Sequence, residues 1–269
     1  MKRLIINGDD LGYTEGVVRA IFDAHAAGVL SSTSALVNMP AWELAAARLR
    51  QTPTLGAGVH LVFNDGAPVL PLEQVPTLVD SQGRFLQDAA IMEHGDRLDP
   101  AQLKAEFRAQ IERFRAAGLK PTHLDNHCSI SYVNMDWFLL AVELAAEYGL
   151  PMRLPFGDDL AERALVMARH SGFPAEMVLG QGQYYQQALA EHGVRRPNRF
   201  IMDFSQDGAR SVENLVHILA ALPEGTSELL THPGYGIAWR EEEIMVLLDP
   251  RVAQAIRANA IELVTFGAV

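Results

Sequence analysis

Short apolar runs alternate along this chain with longer stretches in which apolar residues recur every three or four positions. Such runs are typical of buried strands, and the recurring pattern is typical of helices that bury one face. The clearest helix is predicted over residues 100–118, where Leu103, Phe107, Ile111 and Phe114 share one face. We also predict helices at 15–28, 40–51 and 135–149, and strands at 2–7, 33–38, 56–62, 121–126, 150–154, 200–204, 227–231 and 261–266.

The alternation of strands and helices predicts an α/β fold, with a parallel sheet and helices packed outside it. About eight predicted strands favour a (β/α) barrel, regular or distorted, and an open doubly wound sheet is the alternative. Residues 63–98 interrupt the alternation with Pro68, Pro71, Pro76 and several turn residues. We interpret them as a long excursion that covers the active site of one catalytic domain spanning residues 1–269.

Composition narrows the classes of partner and compartment. The formal net charge is −11, which argues against a broad basic surface, so we expect no nucleic-acid or anionic-membrane partner. The single cysteine, Cys128, excludes an intramolecular disulfide and fits a reducing compartment. The apolar run Leu4–Ile6 is shorter than the roughly 7–15 residues of a signal peptide, and no run approaches the ~20 apolar residues of a membrane span. We therefore expect a cytoplasmic protein.

Charged or titratable residues follow five of the predicted strands. Because the carboxyl ends of parallel strands meet at one edge of a sheet, these side chains are expected to lie together. They are Asp9 and Asp10, His60, the run from His123 through Asp125 to His127, Arg153, and His232. Each has an ordinary structural explanation, such as a turn, a hydrogen-bonded core histidine or an ion pair. Taken together, those explanations require several unrelated coincidences at one edge of the sheet.

The residue types at these strand ends suit metal-assisted hydrolysis. Asp10, His60 and His127 would form a three-ligand site with open positions for water and substrate. The metal would polarise a carbonyl and lower the pKa of a bound water. Asp9 would accept a proton from that water, and His232 would donate a proton to a leaving amine.

An ordered set of short motifs resembles the YdjC-like carbohydrate deacetylases, which include chito-oligosaccharide deacetylases. The set extends over most of the chain, from residue 9 to residue 235. Its members are Asp9-Asp10-Leu11-Gly12, Gly28-Val29-Leu30-Ser31-Ser32-Thr33, Gly58-Val59-His60-Leu61, Gly66-Ala67-Pro68-Val69, Thr122-His123-Leu124-Asp125-Asn126-His127, Arg153-Leu154-Pro155 and Glu228-Leu229-Leu230-Thr231-His232-Pro233-Gly234-Tyr235.

The resemblance implies a distorted, TIM-barrel-like (β/α) barrel related to polysaccharide deacetylases, and removal of acetyl groups from N-acetylated sugars. It implies one divalent metal ion, Mg²⁺ or Zn²⁺ in the first place and Mn²⁺ or Co²⁺ as alternatives, and suggests a homodimer. Asp125 and Arg153 are expected as supporting polar groups near the metal, on the substrate-binding side. The roles carried over are base for Asp9, metal ligand for Asp10, His60 and His127, and acid for His232.

The chain departs from the family pattern after His127. Many members have a further histidine there, whereas this chain has Cys128-Ser129 at a position expected near the substrate. Some relatives are associated with hopanoid biosynthesis, so a hopanoid- or glycolipid-linked N-acetyl sugar is an alternative substrate. Two alternatives come from other functional classes. One is a non-haem iron oxygenase using His123 and Asp125, and the other is a sugar-binding barrel without turnover.

Overall fold

A computed structural model describes residues 1–132 and 134–269 and contains one parallel sheet. The order of its strands is β4-β3-β2-β1-β6-β5, and β7 also pairs with β1. Read from β5, the order is β5-β6-β1-β2-β3-β4, which is the cyclic order of a barrel opened between β4 and β5. In a doubly wound sheet, by contrast, the order in which successive strands are added reverses at the centre of the sheet. The strands are β1 (Lys2–Leu11), β2 (Ser32–Ala35), β3 (Gly56–Leu61), β4 (Leu124–Asn126), β5 (Arg199–Ile201), β6 (Gly225–Thr231) and β7 (Glu262–Leu263).

Ten α-helices in the described residues connect and cover these strands. Several begin at the capping residues that the sequence provides: Thr14 accepts a hydrogen bond from Val17 N, and Asp99 and Asp249 each precede a proline. The helices are α1 (Glu15–Ala26), α2 (Trp42–Gln51), α3 (Asp88–His94), α4 (Pro100–Ala116), α5 (Met135–Tyr148), α6 (Leu160–Ser171), α7 (Ala175–Glu191), α8 (Val212–Ala221), α9 (Ala238–Leu247) and α10 (Pro250–Ala258).

Strand β1 is the centre of the sheet. It pairs with β2, β6 and β7, whereas a strand of a regular barrel has two neighbours. Leu4, Ile5 and Ile6 are fully buried, which is typical of a parallel strand that is covered on both faces. This position brings the carboxyl end of β1 between the ends of β2 and β6.

The prediction of a distorted (β/α) barrel is confirmed, and two details differ. The strand expected at 150–154 is reduced to one bridge between Leu124 and Met152, and on its other side Met152 N donates to Arg195 O, which lies outside the strands. The excursion at 63–98 contains helix α3, where no helix was predicted. None of the described helices combines the length and apolar character needed to cross a membrane.

Candidate active site

The end of β1 departs from regular strand geometry at the two adjacent aspartates. Pairing with β6 stays in register up to Gly8, but the register against β2 shifts between Gly8 and Leu11. Asp10 has a φ of 68°, in the left-handed region that residues other than glycine seldom adopt. In a regular strand, Asp9 and Asp10 would point to opposite faces. The irregularity instead brings both carboxylates within 3.5 Å of His60 Nε2.

Asp10, His60 and His127 lie together at the carboxyl ends of β1, β3 and β4. Asp10 Oδ1 lies 3.4 Å from His60 Nε2 and 2.9 Å from His127 Nδ1. All three atoms are buried, lie within 4.8 Å of one another, and have no hydrogen-bond partner among the described residues. Buried polar atoms are rarely left unpaired, and three electron-pair donors that face one another fit a cation between them. The residues present therefore fit a divalent metal.

Asp125 fixes the orientation of His60. Nδ1 of His60 donates to Asp125 Oδ1 at 2.8 Å, which leaves Nε2 as an electron-pair donor. Burial lowers the pKa of His60, but Asp125, Asp9 and Asp10 outweigh burial and raise it to about 10. A cation and a proton therefore compete for Nε2.

Arg153 is the positive centre of a buried cluster of carboxylates. Its side chain is 4% exposed, and Nη1 and Nη2 each donate to one oxygen of Asp9 at 2.7 Å. Nη1 also lies 2.9 Å from Asp125 Oδ2, and Nε donates to Glu228 Oε1 at 2.7 Å. Arg153 and Asp125 were expected on the substrate-binding side. Because their polar atoms are buried and paired within the protein, we interpret them as supports for Asp9 and His60 rather than as saccharide contacts.

Asp9, His60 and Asp125 form a second group with suitable distances for a metal. In this group, however, both aspartates are paired with Arg153, and His60 Nδ1 is hydrogen-bonded to Asp125. A cation here would have to displace these contacts. The group containing Asp10 is therefore the better metal site, and Asp9 lies beside it.

His123 belongs to the core rather than to the metal group. Its ring stacks on Phe266 with centroids 3.8 Å apart, and its two nitrogens lie 3.1 Å from Ser34 Oγ and 3.0 Å from Thr122 Oγ1. A Cβ on Gly58 would lie 2.4 Å from this ring, so the glycine makes room for it. Burial lowers the pKa of His123 to about 4, which keeps the ring neutral. Only the second histidine of the His-x-Asp-x-His run reaches the metal group.

His232 directly follows β6, at the edge of the sheet that carries the aspartates. The preceding Thr231 is in register with Gly8 of β1. The backbone N–H of His232 donates to buried Glu243, and its ring packs edge-on against Trp239 with centroids 5.6 Å apart. His232 Nδ1 is buried and lacks a hydrogen-bond partner in the part of the chain described. His232 is thus held through its backbone, whereas Nδ1 of its ring makes no hydrogen bond within the described residues.

The excursion at 63–98 is anchored at both a helix and the sheet edge. Both carboxylate oxygens of Glu106, on α4, accept hydrogen bonds from backbone N–H groups, those of Val69 and Leu70. Asn38, just after β2, donates to two carbonyls of the segment. These contacts hold the excursion near the carboxyl end of β2. They agree with a wall beside the site, which remains a prediction.

Cys128, where the sequence departs from the expected family pattern, is half-buried and follows His127 directly. Its Sγ lies 3.9 Å from Ser131 Oγ. Burial, and secondarily the charge of Asp88, raise the pKa of the thiol to about 12. The thiol is therefore protonated near neutral pH and is a poor nucleophile.

Five buried polar residues around the site were not predicted. Asn7, Ser34 and Glu228 lie in strands; Asn7 and Glu228 adjoin apolar residues, which is a usable signal, whereas Ser34 ends the polar run at 31–34. Arg240 and Glu243 lie on α9 among other charged residues, and nothing in their spacing separates them from a solvated helix face. Burial raises the pKa of Glu228 to about 8, against the opposing effect of Arg153.

Comparisons with known proteins find relatives along nearly the whole chain. The model of the YdjC-like protein family matches residues 3–258. A carbohydrate deacetylase of Brevibacillus brevis is 32% identical, with 98% of each chain covered, and one of Thermoanaerobacter pseudethanolicus is 33% identical, with 99% of each covered. A solved structure from Enterococcus faecalis, described as a candidate cellobiose-phosphate cleavage protein, is 30% identical with a TM-score of 0.81, and 99% of this chain and 98% of that chain are covered.

Proposed function

Because the chain belongs to the YdjC-like family, we propose that it is a metal-dependent hydrolase that removes acetyl from an N-acetylated amino sugar or short oligosaccharide. The observation that carries the proposal is the trio of unpaired ligand atoms on Asp10, His60 and His127. Relatives named carbohydrate deacetylase support the substrate class. Mixed nitrogen and oxygen ligands accept several divalent ions, and we propose Mg²⁺ or Zn²⁺, with Mn²⁺ or Co²⁺ as alternatives.

Each residue around the site has a separate role in the proposed amide hydrolysis. Asp10, His60 and His127 would hold the ion, which supplies polarisation of the amide carbonyl and a more acidic water. Asp9, held by both terminal nitrogens of Arg153, accepts a proton from the attacking water. Water adds to the amide carbon to form a carbon–oxygen bond, and the carbon–nitrogen bond then breaks as the nitrogen takes up a proton, so the products are acetate and the free amine.

His232 supplies the proton that the leaving nitrogen needs, because an amine anion is a very poor leaving group. Its place beside β1 and its available Nδ1 support this assignment. The oxygenase alternative would use His123 as a ligand. That ring is stacked on Phe266, and both its nitrogens lie beside hydroxyl groups, which opposes this alternative.

Acetate release from a panel of N-acetylated mono- and oligosaccharides, with and without chelator, tests the proposal. We expect release from at least one member, loss with chelator, and recovery on adding a divalent metal. His232→Ala should lose at least ~100-fold in kcat with metal content unchanged. A destabilised variant whose folded fraction turns over normally would show that His232 is structural. Loss of metal would make it a ligand.

A further inference from the structure

Each of the two adjacent aspartates is held by its own arginine. Asp9 accepts from Arg153, and Asp10 Oδ2 accepts from Nη2 of Arg240, which comes from the first turn of α9. Arg240 lies 230 positions from its partner and is 6% exposed. The sequence motifs of the site end before this residue.

The guanidinium of Arg240 packs against two aromatic rings, and its Nε and Nη1 are buried without a hydrogen-bond partner among the described residues, so Asp10 is its polar contact there. Its central carbon lies 4.4 Å from the ring centre of Trp239 and 5.5 Å from that of Tyr13. Gly234 N donates to Arg240 O, and a Cβ on Gly234 would lie 3.0 Å from Arg240 Cδ. The side chain therefore reaches Asp10 through a closely packed passage, and a Cβ at position 234 would require Arg240 or Val17 to shift by a few tenths of an ångström.

We propose that Arg240 is a positioning residue of the metal site. Its hydrogen bond to Oδ2 of Asp10 fixes the rotation of that carboxylate, so that Oδ1 faces His60 Nε2 and His127 Nδ1. A carboxylate otherwise turns freely about its terminal torsion, and groups that hold a ligand in this way govern metal affinity. The inference rests on the proposed metal-dependent function and adds a residue that the motifs do not contain.

The charge of Arg240 and its hydrogen bond act in opposite directions on a bound cation. The positive charge repels the ion, whereas the oriented N–H group holds the ligand in place. Arg240→Gln removes the charge and keeps an N–H donor, and Arg240→Met removes both. Comparison of these two variants therefore isolates the positioning effect.

Titration with Co²⁺, followed by calorimetry and by the visible absorption of the bound ion, tests the inference without a turnover assay. We expect Arg240→Met to weaken Co²⁺ binding by about 10–100-fold and to change the absorption spectrum, and Arg240→Gln to bind several-fold more tightly than Arg240→Met. Arg163→Met is the matched control, since Arg163 is equally buried but pairs with Asp203 and Phe200 O. It should leave Co²⁺ affinity unchanged.

If Arg240→Met binds Co²⁺ with wild-type affinity and spectrum, the inference is overturned. It is also overturned if Arg240→Met and Arg240→Gln both bind Co²⁺ more tightly than the wild type and to the same extent, because that result would show an effect of charge alone. Should Arg240→Met fail to fold, Arg240→Gln carries the test against the wild type, because the shorter amide ends before the position of Nη2 and holds Asp10 less well. Wild-type Co²⁺ affinity and spectrum in Arg240→Gln would then also refute positioning. A wild-type protein that binds no Co²⁺ would overturn the metal site and this inference together. One that binds Co²⁺ and releases no acetate would overturn only the proposed function.

Discussion

Replacing Arg153 by methionine should be one of the most damaging single changes in the protein. Arg153 contacts Asp9, Asp125 and Glu228, and all four side chains are at most 4% exposed. Removing one partner of a buried ion pair typically costs 3–5 kcal/mol, because the remaining charge has no compensation. We expect Arg153→Met to lose about that much free energy of unfolding, and to lose turnover because Asp9 is no longer held.

The size of this loss should depend on pH through Glu228. Its pKa in the folded protein is about 8, above its ordinary value, so Glu228 destabilises the fold as pH rises towards 8. Without Arg153 that pKa rises further, and the variant keeps the proton where the wild type has released it. The difference in stability should therefore be steady below pH 8. Above pH 8 it should grow by about 1.4 kcal/mol per pH unit.

Urea unfolding of four proteins at pH 7 and pH 9 measures both effects. They are the wild type, Arg153→Met, Glu228→Gln and the double variant. In the Glu228→Gln background the extra loss at pH 9 should vanish, because no ionisable group is left at that position. If Arg153→Met is as stable as the wild type at both pH values, Arg153 does not compensate the buried carboxylates. If the loss caused by Arg153→Met still grows from pH 7 to pH 9 when Glu228 is glutamine, Glu228 is not the cause of the pH dependence.

Three further outcomes are expected. His60→Ala and His127→Ala should each remain folded but lose bound metal, measured by elemental analysis, and acetate release. His25→Ala, a matched change on α1, should retain both. Full metal occupancy in the first two variants would contradict the ligand assignment. The unfolding free energy of the wild type should fall by about 1.4 kcal/mol per pH unit between roughly pH 5 and 8 because of Glu228, and Glu228→Gln should abolish this fall. If unfolding free energy depends on pH in the same way in both proteins, the raised pKa is contradicted. Shortening the excursion at 63–98 should spare metal binding and reduce kcat/KM for oligosaccharides, and normal turnover would show that it is not part of the substrate site.

Much of the fold could be predicted because strands and helices bury apolar residues with different periods. The helix predicted at 100–118 is α4, with Leu103, Phe107, Ile111 and Phe114 all buried. The strand predicted at 150–154 was wrong because a short apolar run also suits extended chain outside a ladder. The local sequence pattern alone does not distinguish a strand paired within the sheet from an extended segment outside it.

The residues of the site were predictable where chemistry and position coincide in the sequence. Asp10, His60 and His127 each follow or end a strand, so their meeting at one edge follows from a parallel sheet. Arg240 depends on how α9 packs after the last motif, and no local pattern encodes that approach. The core position of His123 likewise depends on the space that Gly58 leaves for its ring.

The central position of β1 has a consequence for synthesis of the protein. β1 leaves the ribosome before the other strands described, and its partner along one edge, β6, begins about 200 residues later. At roughly 5–20 residues per second, that edge waits on the order of 10–40 seconds for its partner. Throughout this interval an apolar strand with unpaired backbone groups is available to other chains. Slowed elongation before residue 225 should therefore favour aggregation of nascent chains over correct assembly.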